Sequence, residues 1–251
     1  MKENFKKNII DIFLVRLSKL DDDHLYLFKN ALTNDELIRF NTYKSDKNKL
    51  VSIVSRGLFR TQFSRILNLP LSDITYIKKY QTKPKLFIES KNKFTDLDFN
   101  LSHVEDWVIL AISPFQIGID VEYVLRQKNI SSISNRFFSQ FEIEKLNNLS
   151  SVEKSDLFFK YWTLKEAYLK ANGFGLSGRL KDFYYLFDGD GSIKMMSSES
   201  KAIINNNWTF KCFSPEKKYR VSFAYKSKEP IIFNFREVDS KFHYLNLDWT
   251  I

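Results

Sequence analysis

Between Ile117 and Glu122 the chain alternates between β-branched apolar residues (Ile117, Ile119, Val121) and a second set (Gly118, Asp120, Glu122). Side chains on a β-strand repeat with a period of two, so this run predicts a strand with one face in the core and two carboxylates on the other. Gly118 shares the carboxylate face and is expected to leave room there for a bulky ligand. Two acids side by side on a strand repel one another, so a cation is expected between them.

Other patterns supply the scaffold. Ile9 to Leu17 predicts a first strand; the preceding Lys2, Lys6 and Lys7 resemble the start of a secretory leader, but Asp11 and Arg16 interrupt the apolar run and no small-residue cleavage site follows. Thr33-Asn34-Asp35-Glu36 reads as a capping box opening a short helix. Apolar residues from Leu50 to Leu67 recur at helical spacing, predicting a long helix over roughly Lys47 to Leu67 that stops before Pro70. Strands are expected at Ile74 to Tyr80 and Leu86 to Ile88. Trp107 to Ile112 and Ile117 to Tyr123 are expected to pair as an antiparallel hairpin across Ser113-Pro114-Phe115-Gln116. Helices follow near Gln140 to Leu146 and Glu153 to Ala171, then strands at Phe183 to Phe187, Trp208 to Phe213, Tyr219 to Tyr225 and Ile231 to Phe235. The expected fold class is α+β, with two similarly built α/β lobes, an N-terminal one over 1–115 and a C-terminal one over 116–251.

Composition narrows the function. Few glycines and prolines leave little room for flexible linkers, and the single Cys212 excludes an internal disulfide and points to a reducing, cytoplasmic compartment. No apolar stretch approaches the roughly 20 residues of a membrane helix. The formal charge of +9 suits nucleic acid, an anionic membrane, a phosphorylated small molecule or an acidic protein, and scattered lysines are equally an ordinary solvated surface. Gly173-Phe174-Gly175-Leu176-Ser177-Gly178 has the spacing of a dinucleotide fingerprint but follows a helix instead of a strand, so Gly173 is better read as a helix C-terminal glycine. Walker A and G-x-S-x-G sequences are absent, and three scattered histidines (24, 103, 243) with one cysteine argue against zinc.

Three segments carry the chemistry: Phe99 to His103, Gly118 to Glu122, and Trp162-Thr163-Leu164-Lys165-Glu166-Ala167-Tyr168-Leu169-Lys170. Glu166 and Lys170, four residues apart, share a helix face with Trp162. Singly, each of these features is an ordinary ion pair, strand face or structural histidine. Jointly, two carboxylates on a strand, a third on a helix, a Ser-His pair and several cations suit a diphosphate bridged to Mg²⁺, which prefers oxygen ligands.

In order and spacing these motifs resemble the 4′-phosphopantetheinyl transferases of the surfactin-synthetase-activating type. Thr82-Lys83-Pro84, Phe99 to His103, Gly118 to Glu122 and Trp162 to Lys170 match that family's segments, as do Arg136 to Ser139 with Glu142 and Gly173-x-Gly175-Leu176. The resemblance implies two lobes in a pseudo-dimeric arrangement with the active site between them, acting as a monomer. It implies transfer of the phosphopantetheine arm of coenzyme A to a serine of an acidic apo carrier protein. Asp120, Glu122 and Glu166 would hold Mg²⁺, and Glu166 could also accept the serine proton. Lys170, with Lys165 assisting, would hold phosphate oxygens, as would Ser102 and His103. Arg56, Lys83 and the adjoining Pro84 would meet the nucleotide end. Leu125 to Phe138, with Arg126, Lys128 and Arg136, would dock the carrier. Two departures stand out: Thr82 replaces a common glycine, and Glu105-Asp106 would weaken phosphate attraction unless they point outward. A basic nucleic-acid-binding protein and a magnesium-dependent nucleotide pyrophosphatase are the alternative readings; no recognition motif supports the former, and neither nucleic acid nor a membrane is expected as a partner.

Overall fold

The computed structural model describes residues 8–80, 82–125, 129–175, 179–204, 207–227, 229–238 and 244–249. In chain order they form β1 (Ile9–Arg16), α1 (Asp22–Asn30), α2 (Asn34–Asn41), α3 (Asp46–Leu67), β2 (Ile74–Ile77), β3 (Lys85–Ile88), β4 (Lys93–Phe94), β5 (Asp98–Val104), β6 (Trp107–Ser113) and β7 (Ile117–Tyr123). There follow α4 (Ile130–Phe137), α5 (Gln140–Asn147), α6 (Ser151–Asn172), β8 (Phe183–Phe187), β9 (Ile193–Ser197), β10 (Trp208–Phe213), β11 (Tyr219–Lys226), β12 (Ile232–Val238) and β13 (Tyr244–Asn246). The architecture is α+β. Two compact units are present, one drawn from Met1–Tyr80, Pro84–Phe115 and Pro230–Trp249, the other from Gln81–Lys83 and Gln116–Glu229.

In the first unit a five-stranded sheet runs in the order β13-β12-β1-β6-β5. The 22-residue α3 begins where the Ser45 side chain accepts the Asn48 N–H and ends at Asn68 in the left-handed region, φ 50°. Its apolar side (Val51, Val54, Leu58, Phe59, Phe63) packs with Phe13, Val15, Val108, Leu110 and Phe99 of the sheet into one core. Gly57 lets α1 come close, since a Cβ there would lie 2.6 Å from Phe28 Cβ. The Thr33 capping box forms as expected, with Thr33 accepting the Glu36 N–H and Glu36 accepting the Thr33 N–H.

In the second unit β7, β11 and β10 form an antiparallel sheet in the order β10-β11-β7, and α6 lies across it. A hairpin of β8 and β9 together with α5 encloses a second core around Phe138, Phe158, Leu164, Tyr185 and Phe210. Each unit thus sets one 22-residue helix on a sheet.

Two sequence expectations are corrected. The runs Trp107 to Ile112 and Ile117 to Tyr123 are strands but not a hairpin: β6 pairs with β1 and β5, while β7 pairs with β11. An apolar run shows that a strand will be buried without naming its partner. The division at 115/116 also does not assign everything beyond it to a second lobe. β12 returns to the first unit as the parallel neighbour of β1, with Ile12 opposite Phe235. Pairing over more than 200 residues leaves no local signal.

Candidate active site

The second unit builds the carboxylate side from a grid of residues under α6. Gly118 is opposite Ala224, which is opposite Phe210; Asp120 is opposite Ser222, itself opposite Cys212; Glu122 is opposite Arg220. The helix closes on this face. Thr163 Oγ1 and Ser222 Oγ share a hydrogen bond of 2.7 Å, and Arg220 pairs with Asp156. A Cβ at Gly118 would stand 1.9 Å from the Ala167 carbonyl oxygen and 2.7 Å from the Ala171 nitrogen. The room expected beside Gly118 is therefore filled by the α6 backbone; the glycine serves helix–sheet contact, not a ligand.

That contact places the two acids against one stripe of α6. Lys170 Nζ donates to Asp120 Oδ1 at 2.7 Å, and Trp162 Nε1 donates to Glu122 Oε1 at 2.9 Å. Glu166 lies one turn after Trp162 and one turn before Lys170, so it belongs to the same stripe. Phe137 meets the Trp162 ring edge-on at 5.7 Å and Phe158 stacks on it at 6.2 Å, which fixes the indole donor.

Lys165 is a correction. One residue of helix turns a side chain by about 100°, which takes Lys165 off the stripe that carries Glu166. Its ammonium is fully buried, 3.0 Å from Glu142 Oε2, and donates to the Leu180 and Phe183 carbonyls at 2.7 Å each. Burial pushes the Lys165 pKa down and the Glu142 pKa up, and the opposite charge of the partner counters both shifts. Such a group holds α6 to α5 and β8; it does not reach a phosphate.

In the first unit, a cavity of about 550 Å³ is lined by Arg39, Tyr43, Ser52, Ser55, Arg56, Tyr76, Lys78 and His103, among others. The Arg56 guanidinium lies over the Tyr76 ring, 4.1 Å from its centre. Four basic side chains beside three aromatic rings (Phe40, Tyr43, Tyr76) could take an anion carrying a planar group. Arg56 and His103 were expected from sequence; Arg39, Tyr76 and Lys78 were not, because nothing local distinguishes them from surface residues.

His103 and Ser102 are neighbours on β5 and so point to opposite faces of the sheet. Leu101 and His103 line the cavity and Ser102 is buried on the other side, so of the two side chains expected to donate to phosphates only His103 faces this cavity. Glu105 and Asp106 form the β5–β6 turn and are bound away from the cavity. Lys47 pairs with Glu105 at 2.9 Å, and Asp106 accepts the Ser18 N–H and O–H at 2.6 and 2.8 Å.

Lys83 falls in the second unit, where its ammonium donates to the Ile117 carbonyl at the head of β7. Gly173, φ +74°, caps α6, and a Cβ there would come within 2.2 Å of the Lys83 nitrogen. The glycine motif thus serves a helix end and a close backbone approach. Pro84, at the head of β3, is half-buried. Of the expected docking segment, Arg126 and Lys128 lie outside the described residues; Arg136 sits over Phe137 at 5.0 Å, and Phe138 is in the core.

As a donor set, Asp120, Glu122 and Glu166 fit Mg²⁺: hard carboxylate oxygens on a rigid strand and helix. Among the described residues, however, no three His, Cys, Asp or Glu side chains already converge as a metal cage, and Lys170 occupies one Asp120 oxygen. The fit is one of chemistry rather than of preset geometry.

Comparison with known proteins places the chain. Residues 116–224 match the 4′-phosphopantetheinyl transferase superfamily, and residues 21–115 match the 4′-phosphopantetheinyl transferase N-terminal family. The chain is 32% identical to the Sfp transferase of Bacillus subtilis over 200 residues, covering 78% of this chain and 84% of that one. It is 33% identical to HetI of Nostoc over 59% of this chain and 62% of that protein. It is 28% identical to gsp of Aneurinibacillus migulanus, over 70% and 71% respectively. The chain belongs to the 4′-phosphopantetheinyl transferases, of the type to which Sfp belongs, and is accordingly a transferase. No described helix is long and apolar enough to cross a membrane.

Proposed function

We propose that the chain moves the 4′-phosphopantetheine arm of coenzyme A to a serine of an apo carrier protein, releasing 3′,5′-ADP. The observation that supports this most is the α6 stripe, where Trp162 and Lys170 grip Glu122 and Asp120 with Glu166 between them. The serine oxygen attacks the phosphorus that bears the pantetheine arm, and the bond from that phosphorus to the bridging oxygen breaks. A serine hydroxyl is a weak nucleophile and the pyrophosphate is already anionic, so the step needs a base, alignment and charge neutralisation.

Asp120, Glu122 and Glu166 would hold Mg²⁺, which when bound offsets the charge on the pyrophosphate. Trp162 orients Glu122. Glu166 accepts the serine proton, directly or through water. Lys170 exchanges Asp120 for a phosphate oxygen. Arg56 and His103, with Arg39, Lys78 and Tyr76 of the same cavity, bind the phosphorylated nucleotide end, and Lys83 and Pro84 are read as further contacts of the nucleotide. Ser102 contributes from its own sheet face. Lys165 has no contact with the ligand.

The carrier is read as acidic, since the chain bears +9, and the working form as a monomer in the reducing cytoplasm, which suits the single Cys212. With Arg126 and Lys128 in the dock, kcat/KM for the carrier falls steeply with added salt, because charge steering acts on association and is screened. Reversing both to Glu flattens that dependence; an unchanged salt slope places the dock elsewhere.

The deciding experiment incubates the protein with coenzyme A, Mg²⁺ and a panel of apo carriers and weighs the carriers. A mass gain of one phosphopantetheine on a carrier supports the reading. Release of 3′,5′-ADP without any carrier makes the protein a nucleotide pyrophosphatase instead.

A further inference from the structure

Glu36 does more than close a helix cap. Its Oε2 accepts the Thr33 N–H at 2.9 Å, its Oε1 pairs with Arg56 Nε at 2.8 Å, and Oε2 lies 3.3 Å from a terminal nitrogen of Arg60. One carboxylate therefore serves two guanidinium groups whose side chains are only 18% and 8% exposed. Arg60 also donates to the Ala31 carbonyl at 3.3 Å, which ties it to the chain between α1 and α2. Arg56 is different: it lines the cavity.

The guanidinium of Arg56 is held on two sides before any ligand arrives. Glu36 takes its Nε edge, and the Tyr76 ring takes one face at 4.1 Å. The terminal nitrogens are the fork that grips phosphate oxygens. Fixing a long side chain in advance removes an ordering cost from binding. The same carboxylate also places a negative charge next to a cavity built for an anion.

We propose that Glu36 is a positioning residue that holds Arg56 on Tyr76 for the anionic ligand of the cavity and, by its own charge, limits how tightly that ligand is held. This rests on the reading that Arg56 meets the phosphorylated nucleotide end. The two effects separate by substitution. Glu36→Gln keeps the length, the acceptor oxygen and a cap that glutamine also closes, but removes the charge. Glu36→Ala removes both.

The test is calorimetric titration of the full chain with 3′,5′-ADP. Glu36→Ala weakens binding roughly two- to tenfold, the loss expected when one long side chain must be ordered during binding. Glu36→Gln tightens it, and the gain shrinks as salt is added. Thr33→Ala breaks the same cap without touching Arg56, so it lowers the unfolding temperature and leaves binding within about twofold. In an Arg56→Met background, Glu36→Ala no longer weakens binding, because no guanidinium is left to position.

Equal affinity for wild type and both Glu36 variants overturns the proposal, as does a Thr33→Ala loss matching that of Glu36→Ala, which would make the cap the cause. If Arg56→Met alone binds 3′,5′-ADP as wild type does, the nucleotide reading of the cavity fails and this inference falls with it. If Arg56→Met weakens binding and the Glu36 variants do not alter it, only the role of Glu36 fails.

Discussion

Two ion pairs leave α6 on different sides. On one, Lys165 meets Glu142 with both side chains fully buried, the ammonium further bound by two carbonyl groups. On the other, Lys170 meets Asp120, with 29% of the lysine side chain exposed. The two lysines come from one nine-residue motif and differ in what surrounds them. The first pair is closed off by α5, β8 and the rings of Phe138 and Phe183, so its charges serve each other, the backbone and the Ser139 hydroxyl. The second opens toward solvent, so its lysine can change partners. A lysine beside Glu166 in sequence is thus not a lysine beside it in space.

The largest effect that separates the two sides is chemical. Asp120→Ala removes a proposed metal ligand and should lower carrier modification by at least about 10³-fold, the several kcal/mol that charge stabilisation supplies, while thermal unfolding stays cooperative and native-like. Near-wild-type activity in a folded protein would break the metal assignment. Glu122→Gln should hurt less, since water can replace one coordinating oxygen.

On the closed side the effect is on stability. Lys165→Met leaves Glu142 buried and uncompensated and should cost about 3–5 kcal/mol in urea unfolding. The double variant Lys165→Met, Glu142→Leu should recover much of that loss, because the desolvation cost disappears with both charges. Lys170→Met should cost only about 1–2 kcal/mol, since one hydrogen bond to a charged group at a half-open position is lost, yet it should lower turnover. If Lys165→Met is stable and inactive while Lys170→Met is unstable and active, the comparison is inverted.

Trp162→Phe keeps the ring contacts with Phe137 and Phe158 and deletes the donor to Glu122. A hydrogen bond to a charged acceptor is worth about 1.5–3 kcal/mol, so kcat should fall at least about tenfold with little change in KM for coenzyme A. A raised KM with unchanged kcat would mean that the indole serves ground-state binding instead.

The smallest effect is a rate of modification. Burial pushes the Cys212 thiol pKa up, so at pH 8 its alkylation should be slower than that of a free thiol. Fast labelling of the folded protein would show that the β10–β11 side of the sheet opens readily under α6.

The period-two run at Ile117 to Glu122, the helical periodicity of α3, the Thr33 capping box and the left-handed Gly173 were all legible in the amino-acid order, because each depends on neighbours within a few residues. The shared strand face of Asp120 and Glu122 and the shared helix stripe of Trp162, Glu166 and Lys170 were legible for the same reason: strand alternation and i, i+4 spacing are local geometry. What the tertiary structure alone decided is who meets whom. It made β12 the neighbour of β1, separated β6 from β7, filled the space at Gly118 with the backbone of α6, and put Lys165 in the core. It also gathered Arg39, Tyr76 and Lys78 around Arg56. The physical reason is common to these cases: local sequence sets the direction in which a side chain leaves its own element, while its burial and partners depend on residues dozens to hundreds of positions away, brought there by the packing of apolar faces that carry no address.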